Sequence, residues 1–162
     1  MGMRIYVPIT PIDLRADEIS PRRVHGVTPA EQLEFLGEDL ESLELVATLY
    51  AADDSMELIA QARETGSNCA LRRLVAVGMA PREWIAPADA SASEELPVTA
   101  LALSHALPWA KIESIHVDEP GQEQLLERAI AGDEAAFEAA GDIDLLWYDV
   151  TERAELAQEL GE

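Results

Sequence analysis

The residues best suited to chemistry lie in two short blocks. Pro21-Arg22-Arg23-Val24-His25-Gly26 is the one locally basic stretch of the chain, and Arg15 precedes it. Guanidinium groups bind phosphate and carboxylate through paired N–H donors, and a helix N-terminus adds unpaired backbone N–H groups. A helix beginning at Thr28, just after the block, makes Arg15, Arg22, Arg23 and His25 a candidate anion site. The competing expectation is ion pairing with surface acids, the usual fate of an arginine on an acidic protein. The second block is His116-Val117-Asp118 at the end of an apolar run. Strand side chains alternate, so residues 116 and 118 share a face. An imidazole beside a carboxylate can work as acid and base or begin a metal site, although two ligands alone do not complete one.

Other reactive side chains carry less. Arg72 and Arg73 follow Cys69 closely and would lower a thiol pKa if they stood beside it. A nucleophilic cysteine also needs a positioned base, so Cys69 reads as a small semi-buried residue. His105 sits between alanine-rich and turn segments and reads as structural. Tyr6, Trp147 and Tyr148 fall inside apolar runs and read as core. No Gly-rich phosphate loop, nucleophile elbow or metal-binding helix motif occurs, so no cofactor and no metal is expected.

The elements that must position these residues follow from pattern. Met3 to Thr10, MRIYVPIT, and Asp144 to Thr151, DLLWYDVT, are rich in β-branched or aromatic residues and read as central strands, buried on both faces. Leu71 to Met79, Val98 to Leu103 and Ile112 to Val117 read as three further strands. Thr10-Pro11-Ile12-Asp13 and Thr28-Pro29-Ala30-Glu31 each join a capping Thr, a Pro and an acid three positions on, the signature of a helix start. The longest helical pattern runs from Glu38 to Arg63 and stops at Gly66, with Asp53-Asp54-Ser55 as a break or a solvated turn. Pro81 to Pro97 reads as a surface loop. A helix follows Pro120, weakens at Gly132 and restarts at Asp133, and a last short helix runs from Thr151 to Gly161. Helices between strands imply crossovers and some parallel pairing, and the strands at 98–103 and 112–117 suit an antiparallel hairpin. The expected fold is one α/β domain over residues 1–162: a mixed sheet flanked by helices, nearest to a ferredoxin-like βαββαβ arrangement with an extra strand and extra helices.

Composition bounds the function. The chain has 162 residues, 48% apolar, enough for one core without staples. Eleven Lys plus Arg against 32 Asp plus Glu leave a net charge of −21, which repels phosphate backbones and anionic lipid. Neither nucleic-acid nor membrane binding is therefore expected. A single cysteine permits no internal disulfide, the N-terminus shows no secretion signal, and no apolar run reaches the roughly 20 residues of a membrane span, so the expected location is cytoplasmic.

The blocks MRIYVPIT, RRVHGVTPA, SIHVDEP and LLWYDVT resemble those of an uncharacterised family of short acidic proteins from actinobacteria, a domain of unknown function. The resemblance spans most of the chain and implies a bacterial cytoplasmic α/β domain. It carries no activity, ligand or catalytic residue. The residues themselves favour a non-enzymatic binding or regulatory module acting through a protein partner with a basic surface. The alternative is a small enzyme or anion-binding protein built on Arg22, Arg23 and His25. Whether those side chains converge in one pocket separates the two.

Overall fold

The computed structural model describes residues 2–88 and 96–161. In chain order the strands and helices are β1 (Gly2–Ile9), β2 (Glu18–Ile19), β3 (Arg23–His25), α1 (Pro29–Glu34), α2 (Leu40–Glu64), β4 (Leu74–Pro81), β5 (Ile85–Pro87), β6 (Ala100–Leu103), β7 (Leu107–Pro108), β8 (Ile112–Asp118), α3 (Glu123–Ile130), α4 (Glu134–Ala140), β9 (Leu145–Asp149) and α5 (Arg153–Leu160). A seven-stranded sheet has the order β5-β6-β3-β1-β4-β8-β9, and β2 and β7 form a separate ribbon. The α/β class with flanking helices is as expected. The mixed pairing is not, because every ladder among the described residues is antiparallel. Strands β3 and β4 do run in the same direction, joined through α2, but β1 lies between them and is antiparallel to both. This is one split β-α-β unit, where a ferredoxin-like sheet interleaves two. The helical connection α3–α4 instead joins β8 to its adjacent antiparallel neighbour β9.

Further expectations give way to tertiary packing. The segments at 100–103 and 112–118 do not pair as a hairpin, since β6 lies between β5 and β3 while β8 lies between β4 and β9. The segment DLLWYDVT is an edge strand and not a central one, with Leu146 37% and Trp147 61% exposed. Its run of apolar residues reflects cover on one face only, where Tyr148 and Val150 pack on the main core. The helix expected from Pro11 is a single 3-10 turn at Asp13–Arg15: Thr10 and Asp13 exchange the expected capping bonds, but the backbone is already extended at Ala16 and the chain enters β2 at Glu18. Strand β3 lies in the basic stretch, to which no element was assigned, and β5 arises inside the loop expected over 81–97, of which residues 89–95 lie outside the described ones.

The two sheet faces have different cover. Ile5, Val7 and Ile9 of β1 point with Leu74, Ile115 and Val117 to the face closed by Leu14, Trp109 and the α5 residues Leu156 and Leu160. Tyr6, Val75 and Val77 point to the other face and meet Ala47, Ala51 and Ala52 of α2. Alanines let the helix backbone approach the sheet closely. Ser55, fully buried, donates to the Ile9 carbonyl at 2.7 Å and accepts from the Leu74 N–H at 3.0 Å. That double bond ties the middle of α2 to β1 and β4, so Asp53-Asp54-Ser55 continues the helix rather than breaking it. A second cluster joins Met56 and Ile59 of α2 to Leu126, Ala136 and Ala140 of the α3–α4 pair. Gly78 marks the slip in register between β4 and β8, where a Cβ would run into the Lys111 carbonyl.

Candidate functional site

The basic block meets α2 through His25 and Arg23, which both approach Asp54. His25, the last residue of β3, is cross-strand partner to Tyr6 and is wholly buried under α2. Its Nε2 lies 2.6 Å from Asp54 Oδ2 and its Nδ1 2.8 Å from Thr99 Oγ1. A carboxylate oxygen accepts, so Nε2 is the donor and the Asp54 contact sets the ring's orientation. Tyr50, one turn before Asp54, stacks on the imidazole with ring centroids 6.1 Å apart. Thr99 is also fully buried, so the Thr99-His25-Asp54 chain offers no atom but the outer carboxylate oxygen of Asp54 to a ligand.

The candidate anion residues are each engaged. Arg22 makes a paired contact with Asp13, Nη1 to Oδ2 at 2.8 Å and Nη2 to Oδ1 at 3.2 Å, and donates further to the Pro8 and Ser20 carbonyls. Arg23 Nη1 lies 3.9 Å from Asp54 Oδ1. Arg15 is on the opposite side of the sheet, donating to the Ala157 carbonyl of α5 at 3.3 Å, and does not join the others. Arg22 and Arg23 do share a cavity of about 190 Å³ with Pro8, Leu58 and Gln61, but Asp54 and Glu57 complete its wall.

The second block also separates. Asp118 is fully buried and receives the Arg73 side chain, while His116 is half-buried with Ser114 Oγ at 3.4 Å. Among the described residues no hydrogen bond joins His116 to Asp118, and no group of three His, Cys, Asp or Glu side chains is placed to hold a metal ion. Burial, with Arg4 nearby, lowers the His116 pKa. Cys69 is buried, in keeping with its reading as a small semi-buried residue, and burial raises its thiol pKa; the guanidiniums of Arg72 and Arg73 reach to Asp118. His105 stacks on Trp84 with ring centroids 5.0 Å apart.

A larger cavity opens on the other side of Asp54. It measures about 410 Å³ and lies between α2 and the α3–α4 pair, lined by Tyr50, Asp53, Asp54, Glu57, Pro97 and Phe137 among others. Phe137 is 44% and Tyr50 37% exposed, so the groove has an aromatic wall facing solvent. Asp53 is half-buried there, and burial, together with the neighbouring Asp54 charge, pushes its pKa up to about 6 despite Arg73 3.8 Å away. Sequence reasoning missed Tyr50, Asp53, Asp54 and Thr99. The available signal was a pair of acids set into an otherwise apolar stretch of helix, which a helical period places against the sheet rather than in water.

Fold and groove together define an antiparallel α/β domain with an acidic, aromatic-walled cleft along its central helix. The chain belongs to DUF6912, a family of unknown function whose model matches residues 3–157. No curated protein and no solved structure matches the chain. Among the described residues no helix is long and apolar enough to cross a membrane.

Proposed function

We propose that this domain is a non-enzymatic binding module that takes a cationic segment of a partner protein into the groove beside α2. The observation that carries this reading is the lining of that groove: Asp53, Asp54 and Glu57 are its charged groups, no Lys or Arg is among its described lining residues, and Tyr50 and Phe137 supply aromatic faces. Carboxylates pair with guanidinium and ammonium groups, and aromatic faces attract the same cations. The net charge of −21 draws a basic partner in and disfavours nucleic acid. The enzymatic reading built on Arg22, Arg23 and His25 loses support, since His25 has no exposed surface to offer a substrate. A lone buried cysteine fits a cytoplasmic setting for such a module.

The test is fluorescence anisotropy with a labelled peptide alternating arginine and tyrosine, against an acidic peptide of equal length. The arginine peptide binds, and Glu57→Lys and Phe137→Ala each weaken it at least fivefold, with affinity falling as salt shortens the Debye length from about 10 Å at 0.1 M toward about 3 Å at 1 M. Binding by both variants as tight as the parent's would remove the groove as the site. Binding of inorganic phosphate that Arg22→Ala abolishes would return the anion reading.

A further inference from the structure

Helices α1 and α2 meet in an elbow whose leucines face solvent. Leu33 is 72% exposed, Leu36 78%, Leu40 59% and Leu45 57%, and Leu49, one turn beyond Leu45, is half-exposed. Four leucines more than half exposed within thirteen residues is unlike the scattered single apolar residues of an ordinary soluble surface. The helix explains how this arises. Apolar residues are spread round α2: Ala47 and Ala51 pack on the sheet, Ile59 against the α3–α4 pair and Leu43 is buried, while among the described residues Leu40, Leu45 and Leu49 join no buried cluster. A helix apolar on all sides is ordinarily covered on all sides.

Charge says what the cover is. Glu34, Glu38, Asp39 and Glu41 are exposed between the leucines, and Glu44 is half-exposed beside them. No Lys or Arg occurs between Arg23 and Arg63, and Arg4, which reaches Glu44 at 3.8 Å, also pairs with Glu113 at 3.0 Å. A second copy of the chain would set this acidic ring against its like, and a cytoplasmic lipid surface is itself anionic. An amphipathic helix with leucine-like residues on one side and lysine or arginine on its flanks meets both features, its apolar stripe on the leucines and its charges on the ring. We infer that the α1–α2 elbow is a docking surface for a basic amphipathic helix of a partner protein, distinct from the groove at Asp54.

The probe is a labelled helical peptide of leucine and lysine with all leucines on one face, titrated into the full chain by anisotropy. It binds, and the double variant Leu36→Ser with Leu40→Ser weakens it about tenfold, the effect of removing an interface anchor, at unchanged melting temperature because both side chains are exposed. Phe137→Ala leaves this peptide's affinity unchanged, so the elbow and the groove stand or fall separately. A scrambled peptide of the same composition, unable to form the apolar face, binds at least tenfold more weakly. Equal binding by the scrambled peptide would reduce the contact to charge alone and overturn the inference, as would undiminished binding to the double variant. A dimer of the wild-type chain that the double variant dissociates would assign the surface to a second copy instead. Cosedimentation with zwitterionic vesicles, lost in the same variant, would assign it to lipid.

Discussion

Arg73 and Asp118 hold each other in a site closed to water: Arg73 Nε and Nη2 donate to the two carboxylate oxygens at 2.9 to 3.1 Å, with Arg73 1% and Asp118 0% exposed. The Arg73 N–H also donates to Asp118 Oδ2 at 2.8 Å, and Nη2 to the Ala140 carbonyl at 2.8 Å. The pair thus pins the start of β4 to the end of β8 and to the last turn of α4. Asp118, read from sequence as half of a reactive pair, is a structural anchor.

Removing one partner leaves the other charge buried and uncompensated. Arg73→Ala or Asp118→Ala should each cost about 3–5 kcal/mol in urea unfolding. The double variant Arg73→Met with Asp118→Leu should lose much less than the sum of the singles, because neither charge is then stranded. Additive losses would show the two side chains to be energetically independent.

Asp53 predicts a pH dependence of opposite sign to most carboxylates. Its folded pKa, about 6, lies above the ordinary 3.8, so its ionisation disfavours the folded state. The stabilising contribution of its proton is complete below pH 3.8 and is lost as pH rises through 6. Asp53→Asn should therefore be more stable than the parent at pH 7, by about 1 kcal/mol once solvent screening of this part-exposed group is allowed for, with the difference closing by pH 4. A variant less stable at pH 7 would mean that the Arg73 contact outweighs burial.

The sheet order predicts unequal tolerance of its two end-of-chain strands. Val7 is fully buried in β1, while Leu146 of β9 is 37% exposed at the edge. Val7→Ala should cost about 1–3 kcal/mol through lost burial and a cavity, and Leu146→Ala less than about 1 kcal/mol. Equal shifts in denaturant midpoint would contradict the edge position of β9.

Acids outnumber basic residues 32 to 11, so self-repulsion acts on the folded chain. Sodium chloride should raise the melting temperature between low and molar concentration, since exposed pairs such as Arg128 with Asp133 are worth only about 0–1 kcal/mol. Heparin should not retain the protein, and an anion exchanger should. A melting temperature that falls steadily with salt would show attractive pairs to dominate.

Local signals were sufficient where a residue's conformation depends on its immediate neighbours. The run MRIYVPIT is β1 because β-branched residues suit an extended, doubly covered strand, and Gly132, at φ 105°, separates α3 from α4 because L-residues with a Cβ rarely adopt that backbone. A helix likewise begins at Pro29, where the Thr-Pro pair at 28 and 29 placed one. Partnership was beyond reach. MRIYVPIT and DLLWYDVT look alike along the chain, yet one pairs on both sides and the other on one, since strand order depends on contacts between segments far apart in sequence. His25 could be read as a basic residue before a helix, but its carboxylate comes from Asp54 and its hydroxyl from Thr99, supplied by α2 and by the segment leading into β6. Charge alone determined that the molecule is acidic, and the spacing of its apolar and turn-forming residues that it is α/β. Only the tertiary structure decided which acids neutralise its few cations and which remain facing a groove, because burial and pairing are properties of the assembled fold and not of any local stretch.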